Sequence, residues 1–194
     1  MKPKFFGDSY DIVKQSFIRW LASTGPWSTH PMFTEYVSSE RADWFGRLLG
    51  TRILSREVFN TSVDRDIYLA PARDCREHVF LDPDTGIRLK PTRGKTSPKY
   101  IFDTELVAIA NARQGRLTLV FDQSLARGKE CQQMKHKLSK LAERCVYGVA
   151  YVSHACFVLV GTDQSSVESA LETIKRESGL PEPRFLIVDR RGVN

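Results

Sequence analysis

The stretch Glu77-His78-Val79-Phe80-Leu81-Asp82-Pro83-Asp84-Thr85-Gly86-Ile87-Arg88 constrains the fold of this chain more than any other. Val79 to Leu81 is a short apolar run that reads as a buried strand, and two aspartates, a proline and a glycine stop it at once. Two carboxylates one residue apart, where a buried strand leaves its sheet, converge on a small volume and repel each other unless a cation or a proton intervenes. The same residues are also good turn chemistry, so the segment reads either as an acidic site or as a plain turn.

Strand and helix signals alternate around it. Asp8 caps a helix from about Ser9 to Ala22, with Tyr10, Val13, Phe17 and Trp20/Leu21 on one face, so residues 1–25 form an N-terminal helical element ended by Gly25-Pro26. Met32-Phe33-Thr34-Glu35-Tyr36 reads as a short strand interrupted upstream by Pro31. Ser39 opens a helix with Trp44, Phe45, Leu48 and Leu49 as apolar positions, and Gly50 stops it. Arg52 to Phe59 alternates like a second strand, and Asp64 to Cys75 reads as a helix limited by Pro71. The loop Lys90-Pro91-Thr92-Arg93-Gly94-Lys95-Thr96-Ser97-Pro98-Lys99 is expected to be the most mobile segment.

Asp103 caps a helix carrying Leu106, Val107, Ile109 and Ala110, closed by Gly115. Leu117 to Phe121 is a buried strand ending in Asp122-Gln123-Ser124. A helix from about Lys129 to Arg144 stripes Cys131, Met134, Leu138, Leu141 and Cys145 on one side and exposes Lys129, Lys135, Lys137, Lys140 and Arg144. Tyr147 to Gly161 reads as two strands reversing near Ser153-His154. Ser165 and Glu168 form a capping box for a last helix ending at Gly179, and Arg184 to Val188 offers a last strand before the tail with Arg190 and Arg191. The alternation predicts one α/β domain over residues 1–194, three-layered and Rossmann-like. Its mostly parallel central sheet is flanked by helices and carries an antiparallel edge hairpin near the C-terminus.

The balance of 29 Lys and Arg against 23 Asp and Glu gives a net charge of +6, which favours a polyanionic partner, DNA or RNA. The N-terminus lacks the apolar segment of a secretory signal and no stretch approaches a membrane span, so a cytoplasmic, membrane-free protein is expected. Cys75, Cys131, Cys145 and Cys156 form no C-x-x-C pair and read as reduced structural thiols. The oligomeric state is not legible.

In an open parallel sheet, ligands sit beyond the carboxyl ends of the strands. Glu35, the pair Asp82 and Asp84, and Asp122 all fall at predicted strand ends, so a magnesium ion there, activating water at a phosphoryl centre, is one reading. An acidic residue ending an early strand, then a helix, a strand and an Asp-x-Asp ending the next, resembles the Toprim catalytic domain of topoisomerases, primases and nucleases. The resemblance rests on Glu35 and on Asp82-Pro83-Asp84 with Gly86 behind it. It implies Glu35 as general acid/base and Asp82 and Asp84 as magnesium ligands. Tyr36 stands where that family commonly has glycine. A strand ending in Asp-Pro, followed by helix, strand, helix and a final hairpin, is also similar to the back half of class I methyltransferases. There the Asp-Pro segment lies beside the target base and S-adenosylmethionine is the cofactor. No Gly-x-Gly loop follows any early strand here.

Other patterns fail. Gly94-Lys95-Thr96 imitates the end of a P-loop, but Leu89 stands where its first glycine belongs. His30, His78, His136 and His154 show no ligand spacing, and Ser124 lacks a nucleophile elbow. For binding, Lys90, Arg93, Lys95 and Lys99 in the loop, with Arg127 and Lys129, are candidates for phosphate contacts of salt-sensitive, sequence-independent affinity. The sequence therefore predicts a magnesium-dependent nucleic-acid phosphodiester hydrolase, with a methyltransferase-like protein and a non-catalytic binding module as alternatives.

Overall fold

A computed structural model describes residues 2–91 and 93–188. Thr92 of the basic loop and the tail residues Arg190 and Arg191 lie outside them. In chain order the elements are α1 (Ser9–Trp20), β1 (Trp27–Pro31), α2 (Ser39–Leu49), β2 (Arg52–Ile53), α3 (Arg65–Arg73), β3 (His78–Asp82), β4 (Gly86–Arg88) and β5 (Tyr100–Phe102). Then come α4 (Asp103–Ala112), β6 (Thr118–Phe121), α5 (Glu130–Ala142), β7 (Tyr147–Tyr151), β8 (Phe157–Gly161), α6 (Gln164–Ser178) and β9 (Phe185–Ile187).

Seven strands form one sheet in the order β2-β1-β3-β6-β8-β7-β9. The first four run parallel, with Pro31 opposite Asp82 and Leu81 opposite Val120. From β6 onward each neighbouring pair is antiparallel, so the hairpin does not merely edge the sheet: β8 sits inside it, and β9 is the outer strand. β4 and β5 form a separate two-stranded parallel ribbon.

Helices cover both faces. Val79 and Leu81 point into one core layer with Leu69 of α3, Leu106 and Ile109 of α4, and Met134 and Leu138 of α5. Phe80 points the other way, into the layer with Phe17 of α1, Phe45 of α2, and Leu171 and Ile174 of α6. A strand buried on both faces shows no polar alternation, which is why Val79 to Leu81 reads as a continuous apolar run. The helix stops are local chemistry: Gly50 ends α2 and Gly179 ends α6, both in the left-handed conformation.

Several expectations shift. The first strand is Trp27–Pro31 rather than residues 32–36, and the second shrinks to Arg52–Ile53. α3 runs through Pro71 unbroken, and Asp163, not Ser165, caps α6 by accepting from Ser166 N at 2.9 Å. The base of the 90–99 loop is tied down: Arg65 pairs with Glu105 and donates to Ser97 O (3.1 Å) and Tyr100 O (2.8 Å).

β1 hid because it is polar. Ser28 donates to Glu77, Thr29 shares a hydrogen bond with Thr51 (2.6 Å), and all five of its residues are buried. His30 is its costliest member. Its ring packs 5.0 Å from that of Tyr68, is wholly buried and has no hydrogen-bond partner on either nitrogen. Burial drives its pKa down to about 4 from the ordinary 6.5. The unfolded chain therefore binds a proton that the folded one refuses between these values. The stability is fully present above about pH 6.5 and falls by about 3 kcal/mol as pH drops toward 4, at 1.36 kcal/mol per unit. His30→Leu is expected to remove that part of the slope in urea unfolding measured from pH 7 to 4; an identical slope in the variant would refute it.

Candidate functional site

The carboxyl ends of β3 and β6 open on a cavity of about 300 Å³ whose lining includes Phe5, Tyr10, Asp11, Lys14, Asp82, Asp84 and Phe121. Asp82 is the last residue of β3, placed there because Pro83 cannot donate to a further ladder bond. Its Oδ2 accepts from Lys14 Nζ at 3.0 Å, and the same ammonium reaches Asp11 Oδ1 at 2.9 Å. Asp11 Oδ2 in turn accepts from Gly7 N at 2.9 Å. α1 delivers Asp11 and Lys14 together because residues three apart share a helix face. All three groups are buried, and Lys14 Nζ lies 4.5 Å from the centre of the Phe121 ring.

Burial alone would lower the Lys14 pKa, but the carboxylates of Asp82 and Asp11 outweigh it and hold the ammonium above the ordinary lysine range. Burial raises the Asp82 carboxyl, with Lys14 opposing. Asp82 Oδ1 is buried without a hydrogen-bond partner. A buried acceptor of this kind costs about 1–3 kcal/mol unless something donates to it, so it marks the place where a ligand would pair.

The other predicted acids go elsewhere. Glu35 is not at a strand end; it sits in the bend after β1, its side chain 49% exposed, paired with Lys2 at 3.0 Å. That contact raises the Lys2 ammonium above its ordinary value. Asp122 is buried and saturated: Oδ1 accepts from Ile87 N (3.2 Å), Ser124 N (3.0 Å) and Ser124 Oγ (2.7 Å), and Oδ2 from Lys137 Nζ (2.5 Å). Lys137, expected on the exposed side of α5, instead turns inward to make that pair. Asp84 lines the Asp82 cavity beside Lys2. Of the four predicted catalytic carboxylates only Asp82 and Asp84 share a cavity, and among the described residues no group of three or more His, Cys, Asp or Glu is placed to hold a metal. The donors do not fit magnesium as the sequence predicts: Asp82, Asp122 and Glu35 each face a lysine ammonium, which supplies the positive charge that a cation would have brought.

The basic candidates divide. Lys95 and Lys99 line a hollow of about 250 Å³ with Lys2 and Glu35, next to the Asp82 cavity through their shared Lys2. Lys90, Arg93 and Arg127 are exposed, and Lys129 faces a different cavity beside α5. A cradle for S-adenosylmethionine after β1 is missing too, since Met32 and Phe33 fill that position completely buried. His154 is exposed at the β7–β8 reversal and belongs to no cluster.

Sequence reasoning missed Asp11, Lys14, Tyr10 and Phe121 as one site. The one local signal was a charged pair at i,i+3 on the first helix, indistinguishable from a surface pair without its partner 68 residues away. No helix among the described residues is long and apolar enough to cross a membrane. Comparison with protein-family models, with curated proteins and with solved structures gives no match for this chain.

Proposed function

We propose that this protein binds nucleic acid and takes one unstacked, amine-bearing base into the Asp82 cavity. The observation that carries the reading is the buried, unpartnered Asp82 Oδ1, an acceptor fixed by Lys14 and waiting for a donor. The rings of Phe5, Tyr10 and Phe121 in the same lining suit a planar ligand, and reading a flipped base by edge hydrogen bonds and aromatic contact is established chemistry. Lys2, Lys95 and Lys99 around the mouth supply cations for the backbone of the strand.

Thymine has no exocyclic amine, whereas adenine and cytosine do. Short oligo(dA) or oligo(dC) is therefore expected to bind more tightly than oligo(dT) of the same length, by about tenfold or more, since a hydrogen bond to a charged group contributes about 1.5–3 kcal/mol. Asp82→Asn keeps the shape and removes the charge, so that preference should collapse while the salt dependence persists. Equal affinity for the three strands, or an undiminished preference in the variant, would defeat the reading.

A second reading, phosphodiester cleavage at the same cavity, is favoured by the raised carboxyl of Asp82 beside a fixed ammonium, the kind of pairing found where protons are moved. Incubating labelled DNA and RNA with magnesium, manganese or chelator separates the two. Cleavage lost in Asp82→Asn would make the protein a nuclease, and chelator would show whether a metal takes part. Saturable binding of S-adenosylmethionine would support methyl transfer instead, for which the order β3-α4-β6-α5 followed by the β7–β8 hairpin speaks and the filled β1 end speaks against.

A further inference from the structure

On the other side of the Gln123-Ser124 segment, the β4–β5 ribbon and α5 enclose a second cavity, of about 540 Å³. Arg88, Tyr100, Lys129, Gln132, His136 and Lys137 are among its walls, and among the described residues none of those lining it is acidic. Arg88 lies flat on Tyr100, its guanidinium 4.7 Å from the ring centre, which leaves the edge with its N–H groups directed away from the aromatic face. Lys137 is fixed from behind by Asp122 Oδ2 at 2.5 Å and donates to Ser124 Oγ at 2.6 Å.

Three fixed cations, Arg88, Lys129 and Lys137, stand against one carboxylate, Asp122, and leave two positive charges with no counter-charge in the cavity wall. A phosphomonoester carries about −1.5 to −2 at neutral pH, whereas a phosphodiester carries about −1. An aromatic ring and a side-chain amide beside the cations suit the base and sugar that follow such a phosphate. We propose that this cavity binds a nucleotide through its terminal 5′-phosphate, either as a free mononucleotide or as the first residue of a strand. The site needs neither the Asp82 cavity nor a base amine.

Thymidine ligands keep the two sites apart, because thymine offers nothing for Asp82 to accept from. By calorimetry on the full chain, thymidine 5′-monophosphate is expected to bind at least about tenfold more tightly than thymidine and than inorganic phosphate, one charged hydrogen bond being worth that factor. Arg88→Gln and Lys129→Gln should each remove most of this advantage with the unfolding midpoint unchanged, since Lys129 is exposed and Arg88 half-buried. A 5′-phosphorylated oligo(dT) that outbinds its 5′-hydroxyl twin identifies a strand end; an advantage confined to the mononucleotide identifies a free nucleotide. Binding of the monophosphate no tighter than thymidine or phosphate, or indifference to both substitutions, would overturn the proposal.

Discussion

Replacing Lys14 by Met is expected to destabilise the protein by about 3–5 kcal/mol, the cost of removing one partner from a buried ion pair. Methionine fills much of the volume, so the loss is electrostatic. Asp82 and Asp11 remain buried, at 1% exposure each, with no cation between them. Out of a total of about 5–15 kcal/mol for a domain, this is enough to unfold a marginal variant at physiological temperature. The pH dependence distinguishes this cause from simple repacking. In the variant a carboxyl buried without its cation has a folded pKa above its unfolded one. The stability is then greatest below about pH 4, the unfolded value, and is lost as pH rises through the raised folded value. Lys14→Met should therefore regain stability on acidification from pH 7 to 5, and Lys14→Met/Asp82→Asn should regain part of it at pH 7. Guanidinium unfolding of the three proteins at both pH values checks this; a variant equally unstable at pH 5 and 7 would mean that packing, not charge, is what Lys14 provides.

The part of this site that the sequence announces and the part it conceals have different physical sources. A doubly buried strand stopped by Asp-Pro leaves a local mark, because Val79 to Leu81 has no polar face and Pro83 cannot continue the ladder; β3 ends at Asp82 as that pattern implies. α2 is equally plain, since a Ser cap and a left-handed Gly50 are conditions on single residues. β1 is concealed because its polarity is cancelled by partners far along the chain, Ser28 by Glu77 and Thr29 by Thr51. Misplacing it carries Glu35 to a strand end it does not occupy.

The lysines are concealed for the same reason. Lys14 and Lys137 sit at positions where composition predicts solvent, and each is turned inward by an aspartate that ends a strand of the sheet. Two adjacent parallel strands, β3 and β6, thus close with the same device, a terminal Asp neutralised by a helix lysine. They differ in one respect. Asp122 has every oxygen occupied, whereas Asp82 keeps one bare, and this asymmetry separates a structural pair from a candidate binding site.

The Asp122 pair also explains why residue 86 is glycine, and Gly86→Ala is expected to be among the most damaging single-methyl changes in the chain. Gly86 has φ +139, and a Cβ there would meet Asp122 Oδ1 at 2.0 Å and the Asp122 Cα at 3.0 Å. The carboxylate cannot step aside without leaving Lys137 and the Ile87 and Ser124 amides, and the backbone Cα cannot move without bending β6. Strained backbone costs about 1–3 kcal/mol and a broken buried pair about 3–5 kcal/mol, so a loss of at least about 4 kcal/mol is expected. The clash component can be isolated, because Asp122→Ala removes the atoms that the new methyl would strike. In that background Gly86→Ala should cost only the backbone strain, giving a coupling energy of about 2 kcal/mol or more in a double-mutant cycle. Additive losses would mean that the methyl is accommodated without disturbing Asp122, and that Gly86 is required by its φ alone.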